Sequence, residues 1–449
     1  MRTFSDELSF VKTRLGSGDV AADDARIAAD LDARDELASF RSKFILPPRN
    51  AKDASSGDSI YLCGNSLGPQ PKRTRELVQE DLDVWARYGV EGHFHEDVTR
   101  PWVAIDETVQ AKMARVLGAK EHEVVVMNTL SVNIHLMMVH FYQPKAQGRF
   151  KVIIEGRAFP SDFFAVSSQI QMHGMDPAEA LVELNPREGE VTLRTEDILA
   201  AIADAGDELA LVMLSGVQYL TGQAFEMERI TAAGHQAGAY VGWDLAHASG
   251  NLELHMHDWD ADFAVFCSYK YLNSGPGSLG GVFLHEKHAQ RFDKPRLAGW
   301  WGSEKETRFA MDNVWRPMAG PQGFQLSNPP VLSMAAILAA LEVHDEAGMA
   351  RIRAKSVLLT GYLEFLLDNL CKDSVVIATP RDPAHRGAQL SLRFTSKPAK
   401  DIHKYIQDKG VICDLREPDT MRIAPAPLFN SFADVLEFVQ LLCAANKEV

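Results

Sequence analysis

Short apolar runs that alternate with amphipathic helical patterns constrain the fold of this chain more than any other feature. In order, the runs are "EVVVMN", "KVIIE", "LALVMLSG", "AYVGWD", "DFAVFCS" and "GVFLHE". Their length and their content of Val, Ile and Phe suit strands that are buried on both faces. Helical patterns such as "TEDILAAIADAG" and "MERITAAGHQAG" stand between them. The sequence therefore predicts an α/β protein with a largely parallel sheet.

A second, smaller domain is predicted from length and from a change of pattern. A chain of 449 residues that is 46% hydrophobic is too long for one small core. After "NPPVLSMAAILAALEVH" the strands become shorter, as in "QLSLRF" and "TMRIAP", and they are set among helices. We place the larger domain at residues 60–328, and assign residues 1–59 together with residues 329–449 to a smaller α+β domain.

Composition excludes several classes of function. The formal net charge is -15, which argues against nucleic acid or an anionic membrane as the main partner. The start, "MRTFSDELSF", lacks the apolar core of a signal peptide, and no window approaches the roughly 18 apolar residues of a membrane helix. The 5 cysteines are scattered and form no CxxC motif, which is typical of reduced cysteines in a cytosolic protein. We expect a cytoplasmic protein with no membrane or nucleic-acid partner.

One lysine requires an explanation. In "AVFCSYKYLNSGPGSLGGVFLHEK", Lys270 follows a buried strand, a position where lysine is rare. The glycines after it lead into another strand and not into a helix, so they do not form a dinucleotide-binding fingerprint. A partly buried lysine amine at a strand end suits Schiff-base chemistry. If Lys270 holds pyridoxal phosphate, the site also needs a carboxylate, a phosphate-binding helix terminus and a face for the ring.

Asp244 is the candidate carboxylate, because it ends the run "AYVGWD" and the carboxyl ends of parallel strands share one crevice. Its alternative role is to cap the next helix. His247 could instead pair with Asp244 on a metal ion, and "HMHD" places His255 and His257 on one side of a possible strand. Neither pair has a convincing third ligand nearby in the sequence, so we predict no metal site.

The phosphate and ring candidates also follow apolar runs. In "MNTLSVNIHLMM" a helical pattern begins near Thr129 or Ser131, where free amide groups and a hydroxyl would bind phosphate or simply cap the helix. Ser215 ends "VMLS" and is a further donor. In "EGRAFPSD", Phe159 could offer a ring face, although a lone phenylalanine is usually part of the core, and Asp162 enters the next helix.

The motifs, taken together, resemble the kynureninase family over about residues 60–440. They are "YLCGNSLG", "GHFHEDVTRPW", "AFPSD", "SGVQYLTGQ", "VGWDLAHASGN", "CSYKYLNSGPG", "GWWG", "QLSNPP" and "RIAPAPLFNSF". The resemblance implies a pyridoxal-phosphate enzyme of the aspartate aminotransferase fold (fold type I), whose large domain carries a mostly parallel sheet of the seven-stranded type. It also implies a homodimer with shared active sites.

The resemblance also implies roles for individual residues. Lys270 would form the Schiff base, Asp244 would pair with the pyridine nitrogen, and Tyr269 would bind phosphate or relay protons. Arg422 would hold the substrate α-carboxylate. The other positions implied at the cofactor are Leu130, Ser131, Phe159, Asp162, Ser215, His247, Trp300 and Asn328, with the last two supplied by the neighbouring subunit. The positions implied near the aryl ring are His95, Ser327 and Asn328. Ser131 stands where a threonine is frequent, and Ser303 stands where animal members carry a histidine.

The implied reaction is hydrolysis of L-kynurenine, or of its 3-hydroxy form, to L-alanine and the corresponding anthranilate, as in tryptophan degradation and NAD biosynthesis. The polar His95 favours the hydroxylated substrate. The alternative is another enzyme of the superfamily, such as a cysteine desulfurase or an aminotransferase, although no cysteine stands in a glycine-rich mobile loop. A non-catalytic binding protein of this fold would be expected to lose Lys270, Asp244 or Arg422.

Overall fold

The computed structural model describes residues 3–15 and 20–448. The chain begins with two helices, followed by five short strands. The helices are α1 (Phe4–Arg14) and α2 (Ala25–Ala33), and the strands are β1 (Phe44–Ile45), β2 (Pro48–Asn50), β3 (Asp53–Asp58), β4 (Ile60–Tyr61) and β5 (Gln70–Pro71). Most of this segment packs against the carboxyl-terminal part of the chain, where β4 pairs in parallel with a strand near residue 411.

The next part of the chain alternates helices and strands, as the sequence predicts. The helices are α3 (Lys72–Tyr88), α4 (Glu107–Leu117), α5 (Leu130–Phe141), α6 (Pro160–Met172), α7 (Pro177–Ala180), α8 (Thr195–Ala205) and α9 (Met227–Gln236). The strands are β6 (Val124–Val126), β7 (Lys151–Glu155), β8 (Leu181–Leu184), β9 (Leu209–Ser215), β10 (Tyr240–Asp244), β11 (Phe263–Cys267) and β12 (Gly280–Leu284). These seven strands form one sheet in the order β6-β12-β11-β10-β9-β7-β8.

Six of the seven strands run in the same direction, and β12 is antiparallel to both of its neighbours. Alternate residues of one strand enter different cores: Val124 and Val126 pack on one face, and Val125 packs on the other. Helices therefore cover both faces, which explains why these runs are apolar throughout and do not alternate with polar residues. The predicted α/β fold with a mostly parallel sheet is confirmed.

The carboxyl-terminal part contains a second sheet and long helices. The helices are α10 (Val331–Ala347), α11 (Met349–Leu370), α12 (Ala399–Asp408) and α13 (Phe432–Glu448), and the strands are β13 (Val375–Ile377), β14 (Leu390–Phe394), β15 (Val411–Ile412), β16 (Asp414–Arg416) and β17 (Thr420–Ile423). Four of these strands form an antiparallel sheet in the order β13-β14-β17-β16. The division into domains after residues 59 and 328 stays a prediction.

Short 3-10 helices connect many of these elements. They span Ala38–Lys43, Gly89–His93, Trp102–Ala104, Glu121–Glu123, Gly206–Glu208, Glu286–His288, Trp300–Gly302, Arg308–Ala310, Gly320–Phe324 and Pro383–His385. None of the helices within residues 3–15 and 20–448 is both long enough and apolar enough to cross a membrane.

The loop between β11 and β12 is closed by bonds of its own. Cys267 pairs with Gly280 across the two strands, and the Ser268 hydroxyl donates to the Leu279 carbonyl. The Ser274 hydroxyl in turn donates to the Ser268 hydroxyl. A side chain at Gly280 would collide with the Phe266 carbonyl, so only glycine fits at this close approach. Lys270 therefore lies on a loop that is fixed at both ends.

Two expectations about cysteine and histidine are wrong. Cys371, after α11, and Cys443, in α13, form a disulfide, whereas Cys63, Cys267 and Cys413 are free. The sequence did not indicate this pairing because the two cysteines lie 72 residues apart and meet only when the two helices pack. The motif "HMHD" lies in a turn region and not in a strand, so His255 and His257 do not share a strand face.

Candidate active site

A cavity of about 530 Å³ lies at the carboxyl edge of the seven-stranded sheet. The strands deliver residues to it directly: Glu155 ends β7, Ser215 ends β9 and Asp244 ends β10. Arg422, on β17, reaches the cavity from the second sheet. Of the predicted site residues, the cavity is lined by Leu130, Ser131, Phe159, Asp162, Ser215, Asp244, His247, Tyr269, Lys270 and Arg422.

Lys270 enters the cavity without a partner. Within the described part of the chain, its ammonium group forms no hydrogen bond and no ion pair. Lys270 Nζ lies 6.0 Å from the ring centroid of Phe159 and 5.9 Å from that of Tyr269. The Phe159 ring packs edge-on against Tyr219, with centroids 5.2 Å apart. The amine is therefore available to a ligand and lies next to an aromatic face.

Two buried carboxyl groups, Asp162 and Asp244, share a hydrogen bond near this lysine. Burial raises the pKa of both, and the neighbouring charge of Asp244 raises the pKa of Asp162 further, to well above its usual range. Lys270 lowers the pKa of Asp244. The shared proton therefore resides on Asp162, and a cation in the cavity favours the charged form of Asp244.

A third buried carboxyl group, Glu155, orders Ser215. The Ser215 hydroxyl donates to Glu155 Oε1 at 2.5 Å, and the Ser215 amide donates to Oε2 at 3.2 Å. Burial raises the pKa of Glu155. Glu155 was not predicted from the sequence, although it ends the run "KVIIE" and, like Asp244, stands at the carboxyl end of a parallel strand.

One end of the cavity suits a phosphate group. Helix α5 begins at Leu130, and the side chain of its preceding residue, Thr129, makes no capping hydrogen bond. The first amide groups of α5 therefore have no side-chain acceptor, which is the arrangement that binds anions. Ser131 lies in this first turn. The Ser278 hydroxyl also lines the cavity, is buried, and has no hydrogen-bond partner among the described residues.

The other end of the cavity holds a buried arginine in a fixed orientation. Arg422 is 2% exposed, and its Nε donates to Asp414 Oδ2 at 2.6 Å. Its Nη1 donates to the Tyr219 carbonyl at 2.9 Å. The same Asp414 oxygen accepts a hydrogen bond from Arg416 Nε at 2.8 Å, and Arg416 also lines the cavity. Two guanidinium groups at one end of a cavity suit a ligand carboxylate.

The protonation states of His247 and Tyr269 follow from burial. The pKa of His247 lies well below its usual value because the ring is buried and because Lys270 and Arg422 carry positive charge nearby. Burial raises the pKa of the Tyr269 phenol. At neutral pH His247 is therefore neutral and Tyr269 is protonated.

These residues fit pyridoxal phosphate. The free amine of Lys270, the buried carboxylate of Asp244 and the exposed ring of Phe159 provide the three contacts that the reactive part of this cofactor needs. The uncapped start of α5 provides the phosphate contact. The Asp162 Oδ1 atom and the Ser278 hydroxyl are buried without partners in the described structure, as expected of a site that is completed by a ligand.

Four predicted residues do not line the cavity: His95, Trp300, Ser327 and Asn328. His95 is half-buried against Tyr88, with ring centroids 4.4 Å apart. Trp300, Ser327 and Asn328 are exposed, and the amide of the adjacent Trp301 donates to the Leu326 carbonyl. The chain thus brings ten of the predicted residues together in its own cavity and leaves these four on its surface.

The sequence analysis missed several lining residues besides Glu155. These are Asn65, Ser66, Ser161, Val217, Tyr219, Ala246, Gly277, Ser278 and Arg416. Asn65 lies inside the motif "YLCGNSLG", which was used only for its resemblance to a family. Arg416 follows no apolar strand of the main sheet, so no strand-end argument points to it.

Comparisons with known proteins agree with one another. The family model "Kynureninase C-terminal domain" matches residues 352–442. A kynureninase of Myxococcus xanthus is 56% identical over 420 residues, which cover 94% of this chain and 97% of that protein. A kynureninase of Mus musculus is 47% identical over 435 residues, covering 93% and 92%.

Solved structures share the fold at low identity. A cysteine desulfurase from Escherichia coli has a TM-score of 0.74 at 18% identity, covering 92% of this chain and 98% of that one. A mutant of C-DES, solved with glycine covalently linked to its PLP cofactor, has a TM-score of 0.72 at 15% identity, covering 86% and 96%. At these identities the similarity shows the fold alone.

Proposed function

The chain belongs to the kynureninase family, and on that premise we propose how its cavity carries out the family reaction. The protein is a pyridoxal-phosphate enzyme that cleaves the Cβ–Cγ bond of L-kynurenine with water, giving anthranilate and L-alanine. The observation that supports the cavity as the reaction site is an unpaired lysine that shares it with a buried aspartate. Placing a lysine amine in this cavity without a partner costs free energy of folding unless a ligand pairs with it.

Each part of the cofactor would have its own partners. Lys270 would hold it covalently, Asp244 would keep a proton on the ring nitrogen, and Phe159 would pack on the ring. The start of α5 with Ser131, and Tyr269 or Ser278, would bind the phosphate. Asp162, which keeps its proton, would hold Asp244 in place, and Glu155 would hold Ser215.

When bound, pyridoxal phosphate withdraws electrons from the substrate Cα and makes its proton acidic. With substrate bound, the amine of Lys270 would be free to accept that proton as general base. Arg422 binds the α-carboxylate, and its fixed orientation sets which bond at Cα faces Lys270. Water adds to the Cγ ketone of the substrate, and collapse of this hydrate gives the carboxylic acid of anthranilate and leaves the electron pair of the broken bond on Cβ. The protonated phenol of Tyr269 would then return a proton to Cβ.

Analysis of the reaction products tests the proposed function. Purified protein is incubated with pyridoxal phosphate and kynurenine, and both products are quantified. We expect anthranilate and alanine in equal amounts, and no release of sulfide from cysteine under the same conditions. Sulfide release without anthranilate would favour the desulfurase alternative, and transfer of the amino group to a keto acid would favour an aminotransferase.

We propose further that the enzyme is a homodimer in which Trp300 and Asn328 complete the partner's cavity. Support comes from their exposed positions, from the half-exposed ring of Trp300, and from the neighbouring exposed aromatics Phe94 and Phe309, whose centroids are 5.5 Å apart. Exposed aromatic groups of this kind mark protein interfaces.

Mixing two inactive variants tests this sharing. In a mixed dimer of Lys270→Ala and Asn328→Ala chains, one site would combine Lys270 and Asn328 from different chains. Random reassociation would then restore about a quarter of the wild-type sites. Recovery of activity supports the shared site, whereas no recovery after verified chain exchange contradicts it. Sedimentation of the wild type should give a dimer.

We also propose a preference for 3-hydroxykynurenine. His95 and Asn328 lie outside this chain's own cavity, so the proposal requires that the dimer bring them to a substrate. There, the imidazole and the amide would hydrogen-bond a ring hydroxyl, and leaving them unpaired beside plain kynurenine would cost about 1–3 kcal/mol. We expect a roughly tenfold to hundredfold preference in kcat/KM. Equal values for the two substrates, or an unchanged preference in His95→Trp, would contradict the proposal.

A cytoplasmic location is proposed because three of the five cysteines, Cys63, Cys267 and Cys413, are free thiols, and the Cys371–Cys443 disulfide is the feature that argues against it. Such thiols are typical of proteins from reducing compartments. Cell fractionation tests it: the enzyme should appear with cytoplasmic markers, and its recovery with a membrane or secreted fraction would contradict the proposal.

A further inference from the structure

Three side chains meet at the amino edge of the seven-stranded sheet, at the opposite end of the strands from the cavity. Glu123 precedes β6, His257 lies in the turn region before β11, and His285 follows β12. One ligand atom from each lies within 4.8 Å of the others. We call these residues the amino-edge triad. None of them lines the cavity that contains Lys270.

The triad is built around a buried carboxylate. Glu123 is fully buried, and its Oε1 is hydrogen-bonded to His257 Nδ1 at 2.9 Å and lies 3.9 Å from His285 Nδ1. A metal ion between these atoms would take the place of the proton that Glu123 and His257 share. The two imidazole rings lie nearly parallel, with centroids 4.8 Å apart. Glu123 is fixed by backbone amides, because Oε1 accepts from Glu286 at 2.8 Å and Oε2 accepts from Lys120 at 2.9 Å.

The hydrogen bonds of His285 define its tautomer. Its Nδ1 accepts the Lys287 amide at 3.2 Å, so this nitrogen is unprotonated and its lone pair points to that amide, which a metal ion would have to replace. Its Nε2 faces Asp260 Oδ1 at 3.4 Å, and Lys287 Nζ holds that same oxygen at 2.7 Å. Histidine ligands of metals usually donate their second ring nitrogen to a carboxylate in this manner, which orients the ring.

We propose that the amino-edge triad binds a zinc ion. Two imidazole nitrogens and one carboxylate oxygen are ligands that zinc takes, with a fourth tetrahedral position left for water. The ion would join three segments that are distant in sequence: the start of β6, the turn before β11 and the end of β12. Since the cavity lies a strand length away, roughly 16 Å for five residues, the ion would stabilise the fold and take no part in the reaction.

A neighbouring group, His122 with Glu123 and Glu286, is a weaker candidate. His122 and Glu286 are exposed, and the Glu286 carboxylate already accepts from Lys120 Nζ at 2.6 Å and contacts His122 Nε2 at 3.1 Å. The amino-edge triad is therefore the stronger candidate for a metal site. Its three residues are largely buried, and Asp260 lies beside the second ring nitrogen of His285.

Zinc titration of the holoenzyme tests the proposal. After chelator treatment and dialysis, Zn²⁺ is added to the protein with its cofactor bound, and heat of binding and thermal unfolding are measured. We expect one zinc per chain and a higher Tm in its presence. Co²⁺, added in place of zinc, should give the visible absorption of a four-coordinate site.

Matched variants localise the ion. His257→Gln and His285→Gln should weaken zinc binding by about tenfold or more and abolish the rise in Tm. His255→Gln is the control, because His255 lies two residues from His257 and is exposed outside the triad. All variants should keep the wild-type kcat. Zinc binding that is equal in wild type and His257→Gln, or equally weakened in His255→Gln, would overturn the proposal.

Discussion

Charged and polar side chains gather at both edges of the seven-stranded sheet, but the two edges differ in how many of these groups are hydrogen-bonded. At the carboxyl edge, Lys270 has no partner in the described structure, and the Asp162 Oδ1 and Ser278 hydroxyl atoms are buried without hydrogen bonds. At the amino edge, Asp262 accepts from His235 at 2.9 Å, from His288 at 2.7 Å and from the Val241 amide at 2.6 Å. Unpaired groups, and not the number of charges, therefore distinguish the cavity that we propose as the reaction site from the network around Asp262.

Removing the unpaired lysine should have the largest effect. We expect Lys270→Ala to lower kcat by about 10⁴-fold or more, because in the proposed mechanism Lys270 both holds the cofactor covalently and acts as the general base. The visible absorbance of bound cofactor should disappear at the same time. The matched variant at the amino edge is Lys287→Ala, which should keep kcat. Near-normal turnover in Lys270→Ala would show that an unpaired group at this edge does not mark the reaction site.

Replacing Asp244, the buried aspartate beside Lys270, should have the second largest effect on turnover. Asp244→Asn should lower kcat by about 10³-fold, because an amide cannot keep the ring nitrogen of the cofactor protonated. Cofactor should still bind, which a spectroscopic titration would show. Asp258→Asn, at an exposed position of the turn region before β11, is the control and should be neutral. Full activity in Asp244→Asn would mean that another acidic group keeps the ring nitrogen of the cofactor protonated.

A paired aspartate should affect stability and not turnover. Asp262→Asn leaves His235 and His288 without their shared acceptor charge, and we expect a loss of about 3 kcal/mol in the free energy of unfolding. Denaturant unfolding measures it, with kcat/KM measured in parallel. The comparison fails if this variant keeps its stability, or if folded Asp262→Asn protein is inactive.

A buried histidine at the end of α5 predicts acid sensitivity. Burial lowers the pKa of His140 to about 4, while in the unfolded chain it is near 6.5. Only the unfolded state gains a proton between these values, so stability falls as pH decreases from 6.5. The expected loss is about 2 kcal/mol by pH 5. Denaturant unfolding at both pH values should show a smaller loss in His140→Gln, and an unchanged loss in the exposed control His173→Gln.

The smallest effect is expected for a residue that positions another. Asp414→Asn should weaken the orientation of Arg422 and lower kcat/KM about tenfold, mainly through a higher KM. Asp414→Glu should recover part of this loss. The control is Asp419→Asn, which affects a surface pair with Arg393 and a hydrogen bond from the neighbouring Thr420, away from Arg422. An unchanged KM in Asp414→Asn would show that the backbone contact to Tyr219 is sufficient to hold the arginine.

Much of the fold and part of the cavity could be predicted because strand ends are visible in sequence. Apolar runs predicted the main strands, and the convergence of parallel strand ends predicted that Asp244, Ser215 and Lys270 would meet. Glu155 could have been predicted in the same way, because it also ends a parallel strand. The roles of these residues stay predictions, and they rest on the family resemblance more than on the pattern.

The other features of the site and fold could not be predicted, because they depend on contacts between segments that are distant in sequence. Asp414 and Arg416 matter because β16 lies beside β17, and neither follows an apolar run of the main sheet. The Cys371–Cys443 disulfide and the amino-edge triad likewise require packing that no local pattern records. His257 lacked a third ligand in sequence because Glu123 and His285 come from other strands.

The closed loop between β11 and β12 has a consequence for protein engineering. Residues 268–279 are anchored at the Cys267–Gly280 pair and hold one another by hydrogen bonds, but they also carry Lys270, Tyr269 and Ser278 of the cavity. Only the remaining positions of this loop are open to redesign. An insertion inside β12 would instead shift the register and turn its buried side chains to the wrong face. Redesign of this enzyme should therefore vary the loop at fixed length and leave both anchoring strands intact.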